Sequence, residues 1–206
     1  VLGLILVAQA AYSFSYDRDT GMIRHILIRR ASKPALIFAK LLQINLIGLI
    51  SILLLIITTY VTSSLLWEFG AIVEDGFELI SEEEILAEIA TGLQLAIIPL
   101  PAAIAFGLLV SVIAQSATQA ITTALGITLA IDIFKSMLGD YADYVYARFQ
   151  PSLIDASYLQ DVSRIVRGYS DVMINESVLQ LNLWMPIPTL IIFVGLTMIF
   201  IHKKSI

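Results

Sequence analysis

LIFAKLLQINLIGLISILLLIITTYVTSSLL, residues 36–66, decides the class of fold. It runs 31 residues with a single charge, Lys40. As one helix it would reach about 46 Å at 1.5 Å per residue, more than the roughly 30 Å of a hydrocarbon core. Its first turns are therefore expected to project into water, with Lys40 snorkelling at the interface. The whole chain shares the bias: of 206 residues, 58% are hydrophobic and 14% charged, with a mean hydropathy of +0.89. A soluble domain carries about 25% charged residues and about 45–50% apolar ones. The composition is that of an integral membrane protein.

Three more long apolar runs follow. Ile85–Ala114 contains Pro99 and Pro101, which predicts a kink or break near its middle. Ala117–Leu138 comes almost at once, predicting a tight helical hairpin around Gln115, Ser116, Thr118 and Gln119. Leu183–Ile201 is the last run, with Pro186 and Pro188 in its first turns and a basic tail, His202-Lys203-Lys204. The opening run, Val1–Ala11, is too short to span, and residues 1–13 are read as the end of a helix cut at its start.

Charge sets the expected orientation. Segment 14–40 and the tail hold eight of the twelve Lys and Arg residues, whereas 67–84 has none and carries seven acids. By the positive-inside rule the basic parts, 14–35 and 202–206, are cytoplasmic and 67–84 and 139–182 lie outside. The outer segments are expected to be structured. Ser81-Glu82-Glu83-Glu84 has capping-box spacing ahead of Ile85. Ser157–Gln160 repeats that spacing before an apolar face of Tyr158, Val162, Ile165, Val166 and Tyr169, and a second amphipathic piece covers Val172–Leu181. Tyr141, Tyr144, Tyr146, Phe149 and Tyr158 suit an interfacial aromatic belt.

Candidate chemistry is sparse. The chain has no cysteine, so disulfides and thiolate metal sites are excluded, and its two histidines, His25 and His202, sit in no ligand motif. No G-x-x-x-x-G-K-[ST] phosphate loop occurs. Glu83-Glu84 is followed by Glu88 where an intramembrane protease of the Glu-Glu-x-x-x-Arg type needs Arg. The chain is therefore not read as an enzyme. Asp132 and Lys135 are opposite charges three residues apart within an apolar run. They form either a structural pair near the outer end or part of a transport path. Ser111, Thr118, Thr122, Thr123, Gly126 and Thr128 give the hairpin small and hydroxyl side chains, for close helix packing or for lining a path. Asn175-Glu176-Ser177 is a glycosylation triplet of a kind common by chance.

The basic segment itself, YDRDTGMIRHILIRRASKPALIFAK (16–40), has an order that topology alone does not require. Asp17, Asp19 and Thr20 can cap a helix over about 20–31, Met22, Ile23, Ile26 and Leu27 give it an apolar strip, and Arg29 and Arg30 suit its C-terminal dipole. Pro34 then falls where the next helix tolerates it.

Asp17-Arg18-Asp19-Thr20-Gly21, Ile28-Arg29-Arg30-Ala31-Ser32-Lys33-Pro34 and Phe38-Ala39-Lys40 together resemble a pattern in the permease subunits of type-2 ABC transporters. That pattern has an acidic and small-residue motif (E-x-G-T), a short helix, a P-x-S-R-like turn and a Lys opening a long span. Here Asp stands for Glu, Thr-Gly is inverted, and Pro follows the Ser. The resemblance implies an all-α polytopic membrane domain: the end of a truncated span, four full spans (36–66, 85–114, 117–138, 183–201), a short cytoplasmic coupling helix and outer amphipathic helices. It implies a subunit of an ATP-driven exporter in the cytoplasmic membrane, pairing as a homodimer or heterodimer. A separate nucleotide-binding ATPase subunit would hold ATP and Mg; no cofactor is expected on this chain and no nucleic acid as partner. Contact with the ATPase would fall on Asp19, Met22, Ile23, Arg24, Ile26, Leu27, Arg29 and Arg30. From another class, the same segment fits a non-transporting membrane anchor or assembly subunit. A secondary transporter is set back by the scarcity of charge at mid-membrane.

Overall fold

The computed structural model describes residues 2–28, 32–66, 69–74, 77–134, 137–138, 141 and 183–203. Helices dominate: α1 (Leu2–Asp19), α2 (Met22–Ile28), α3 (Lys33–Leu66), α4 (Glu82–Ile97), α5 (Leu100–Ile113), α6 (Ala117–Phe134) and α7 (Pro186–Lys203). Among the described residues, α3 and α7 are long and apolar enough to cross a membrane, while α5 and the apolar part of α6 (117–131) are shorter.

Local chemistry explains most boundaries. Ser32 starts α3, its Oγ accepting from the Ala35 amide at 3.3 Å, and Pro34 sits in the first turn, where a missing N–H leaves nothing unpaired. The capping box at Ser81 is present: Ser81 Oγ accepts from the Glu84 amide, and Glu84 accepts from the Ser81 amide. The run 85–114 is broken at Ile98–Pro99, and the new helix carries Pro101 near its start. Ser116 opens α6, accepting from the Gln119 amide at 3.2 Å, while Gln119 Oε1 reaches back to the Gln115 amide at 2.9 Å.

Two boundaries differ from expectation. Helix α1 does not end near residue 13 but runs to Asp19, because nothing in Ser13–Arg18 breaks a helix. Within 67–84 lies a short antiparallel pair, β1 (Ile72–Glu74) with β2 (Phe77–Ile80), Val73 opposite Glu78. Among the described residues, the regular structure is helical apart from that hairpin. The expected outer helices over 158–181, and Tyr144, Tyr146, Phe149 and Tyr158, lie outside the described residues. Tyr141 is described and exposed.

The core is organised around α5, whose residues Leu100 and Ala102–Val112 are all buried. It packs against α1, α3, α6 and α7. One layer joins Val7 and Ala11 to Ala103, Phe106, Ala120 and Ala124, with Phe193 of α7 against it. A second joins Leu6, Ala10, Ile44, Ile104 and Leu108. Alanines recur at these contacts and let the helix backbones approach closely. The tightest approach is at Gly107, where an added Cβ would lie 2.6 Å from the Val7 carbonyl oxygen and 2.8 Å from the Ala10 Cβ. Helix α3 behaves differently. Ile37, Ile44 and Gly48 are buried, while Leu53, Leu54, Leu55, Ile57, Tyr60, Leu65 and Leu66 are exposed.

Candidate coupling surface at the basic end

The third core layer shows which ends lie together. Phe14 of α1, Ile23 of α2, Ile37 of α3, Val112 of α5 and Ile201 of α7 form one buried cluster, with Leu36 and Met198 beside it. The end of α1, all of α2, the start of α3, the α5–α6 turn and the end of α7 therefore share one end of the bundle. Among the described residues, the Lys and Arg side chains, Arg18, Arg24, Lys33, Lys40 and Lys203, belong to these segments.

Each residue of Asp17–Gly21 has a distinct role there. Asp17 Oδ2 pairs with Lys40 Nζ at 2.5 Å, and Lys40 also donates to the Ser13 carbonyl at 2.9 Å. Both side chains are largely buried, so α1 is tied to α3 out of water. Asp19 Oδ2 accepts from the Ala117 amide at 2.7 Å, capping α6 from α1 across 98 residues of sequence. Arg18 lies along the same turn with Nη2 3.6 Å from Asp19 Oδ1; its terminal nitrogens are buried and make no hydrogen bond. Thr20 donates back to the Tyr16 carbonyl at 2.9 Å. Gly21 then takes φ +74, a left-handed conformation that reverses the chain and releases α2.

This corrects part of the sequence reading. Asp17, Asp19 and Thr20 do not cap α2: the first two hold α1 to α3 and α6, and Thr20 closes the end of α1. Lys40 does not snorkel, because Asp17 and the Ser13 carbonyl give it partners inside the bundle. Ile23 is 1% exposed and is a core residue of this chain, so it is not available as an anchor for a partner. The open face of α2 carries Met22 (48% exposed), Arg24, His25 and Ile28 (78% exposed). The side chains of Ile26 and Leu27, and all of Arg29 and Arg30, lie outside the described residues. So do Lys135 and the side chain of Asp132, which itself falls within α6.

The sequence reading placed Asp17 and Lys40 here without pairing them and gave Ile28 no part in the contact. The signal for the first two was present: opposite charges at the ends of two adjacent apolar runs must meet or stay in water. In the hairpin, packing falls to Ala120 and Ala124, which are buried, and not to Gly126, which has open space around it. Thr122 and Thr128 donate to the carbonyls of Thr118 and Ala124 one turn earlier, so neither hydroxyl needs an outside partner. Among the described residues, no group of three or more His, Asp and Glu is placed to hold a metal.

A family profile described as "Protein of unknown function (DUF2705)" matches residues 1–148, and the chain belongs to that family. No curated protein and no solved structure matches it.

Proposed function

We propose that this member of the DUF2705 family is the membrane-spanning subunit of an ATP-driven exporter, on whose α2 a separate ATPase subunit bears. The observation that carries the reading is the construction of α2. It is a seven-residue helix at the basic end, hinged at Gly21, with Ile23 seated among four other helices and Met22, Arg24, His25 and Ile28 left open. A loop needed only to set topology requires the charge and not the socket.

The mechanism follows from those contacts. In this reading the basic end is cytoplasmic, and α3, the α4–α5 pair, α6 and α7 cross the membrane in turn. Closure of the ATPase subunits pushes on α2. Ile23 passes that displacement to α1, α3, α5 and α7, and the Asp17–Lys40 and Asp19–Ala117 ties carry it to α3 and α6. The spans tilt together and open a path between two permease subunits. The partner groove is expected to have an apolar floor for Met22 and Ile28 and acidic groups facing Arg24.

Co-purification with a candidate ATPase subunit tests the reading. Met22→Ser/Ile28→Ser keeps every charge and touches no buried residue. If either side chain is a hot spot, affinity falls by about 2 kcal/mol, or roughly 30-fold. Undiminished complex and undiminished coupled hydrolysis would instead favour a membrane anchor, whose basic segment serves orientation alone.

A further inference from the structure

A narrow crevice of about 80 Å³ opens beside the break between α4 and α5. Leu6 of α1, Gly48 and Ile52 of α3, and Pro101 and Ile104 of α5 wall it, and Asn45 supplies the one polar side chain in its lining. Leu49, also in the lining, is 55% exposed, so the crevice opens toward the side of α3 that faces away from the bundle. Asn45 Nδ2 donates to the Leu41 carbonyl at 2.7 Å, a bond that only the NH₂ end of an amide can make. Its oxygen, Oδ1, is therefore the free end, and among the described residues nothing donates to it. An amide oxygen without a donor is costly in apolar surroundings, whether protein core or hydrocarbon.

We infer that this crevice binds the straight aliphatic chain of an amphiphile whose hydroxyl or amide N–H donates to Asn45 Oδ1. The polar group on offer is an uncharged acceptor with no charged side chain beside it in the lining, so it suits a neutral donor. The volume is about half that of a cavity that holds benzene, room for a few carbons in a row but not for a ring. Asn45 and Ile52 are seven residues apart, so the wall follows α3 for about 10 Å. Asn45 stands at the end nearer the basic side, five residues or about 7.5 Å from Lys40, and Ile52 lies near the middle of α3. An amphiphile in the leaflet at the basic end presents its polar group and its chain in that same order. The inference rests on the membrane-spanning part of the proposed function and not on the ATPase, and it gives that function a ligand class.

Dodecan-1-ol, dodecane and cyclododecanol, each titrated into the isotope-labelled chain in lipid nanodiscs, test it through the resonances of the Gly48 amide and the Asn45 side-chain amide. Dodecan-1-ol is expected to shift both saturably. Dodecane, which lacks the donor, is expected to bind about tenfold more weakly, the worth of one hydrogen bond. Cyclododecanol, with the same donor on a ring, is expected not to saturate. Asn45→Leu should lower the affinity for dodecan-1-ol to that for dodecane, and Leu49→Trp, at an exposed position, should block the crevice. Shifts that rise with dodecan-1-ol without saturating would overturn the inference. So would dodecane or cyclododecanol binding as tightly as dodecan-1-ol, and both results come from the unsubstituted chain, whether or not the variants fold. Thiol labelling of Ser81→Cys and Ser32→Cys tests the membrane reading by itself, so the two failures can be told apart.

Discussion

Replacing Lys40 by Met tests the tie between α1 and α3. Lys40 Nζ meets Asp17 Oδ2 at 2.5 Å and the Ser13 carbonyl at 2.9 Å, and the two side chains are 13% and 14% exposed. Met keeps the length and the apolar stem but leaves a largely buried carboxylate without its cation. Breaking one side of a buried pair costs about 3–5 kcal/mol, because the remaining charge is uncompensated. Asp17→Asn, the other half, keeps an acceptor but removes the counter-charge, and is expected to cost about 1.5–3 kcal/mol, the range of a hydrogen bond to a charged group. The double variant removes both charges together, so it should cost less than the sum by about 1–3 kcal/mol, the coupling expected of residues in contact. The assay is reversible unfolding in mixed micelles by denaturing detergent, followed by helicity for all four proteins. Additivity to within about 0.5 kcal/mol would refute the tie, because residues that do not interact add to that tolerance.

Other outcomes follow from the same geometry. Gly107→Ala places a methyl against the Val7 carbonyl and the Ala10 Cβ and should destabilise by about 1–3 kcal/mol, whereas Gly126→Ala, with open space around it, should be neutral or stabilising; detergent melts compare the two. Asp19→Ala removes the cap on α6 and should cost about 1 kcal/mol, with Asp19→Asn recovering most of it, read as faster amide exchange at Ala117. For orientation, single cysteines at Ser81 and Ser32 should respond oppositely to an impermeant thiol reagent in intact cells: Ser81→Cys labels from outside and Ser32→Cys does not. Labelling of Ser32→Cys would reverse the topology.

What could be read from the sequence depended on whether a neighbour in sequence or a neighbour in space decided the outcome. Ser81, Pro34 and the Pro99–Pro101 break act within one turn of themselves, and each fell where the pattern put it. The β1–β2 pair was missed although Asp75-Gly76 stands between Ile72-Val73 and Phe77, a turn dipeptide flanked by β-formers. At the candidate site, Asp19 is caught by an amide 98 residues away and Ile23 by four other helices. The period of α2 could not say which of its apolar residues faced inward, because a two-turn helix has apolar residues on more than one side. The exposed second half of α3 fits the proposed membrane reading, in which a run of leucine and isoleucine needs no partner in this chain.

The claim that an ATPase bears on α2 is met most directly by a photo-crosslinking residue at Ile28, the most exposed apolar position described on that helix, in intact cells. A second, at Leu53 on the exposed face of α3, serves as the control. The account predicts that Ile28 yields an adduct with a polypeptide carrying a G-x-x-x-x-G-K-[ST] phosphate loop, and that Leu53 yields none. Adducts to lipid alone from both positions would contradict it.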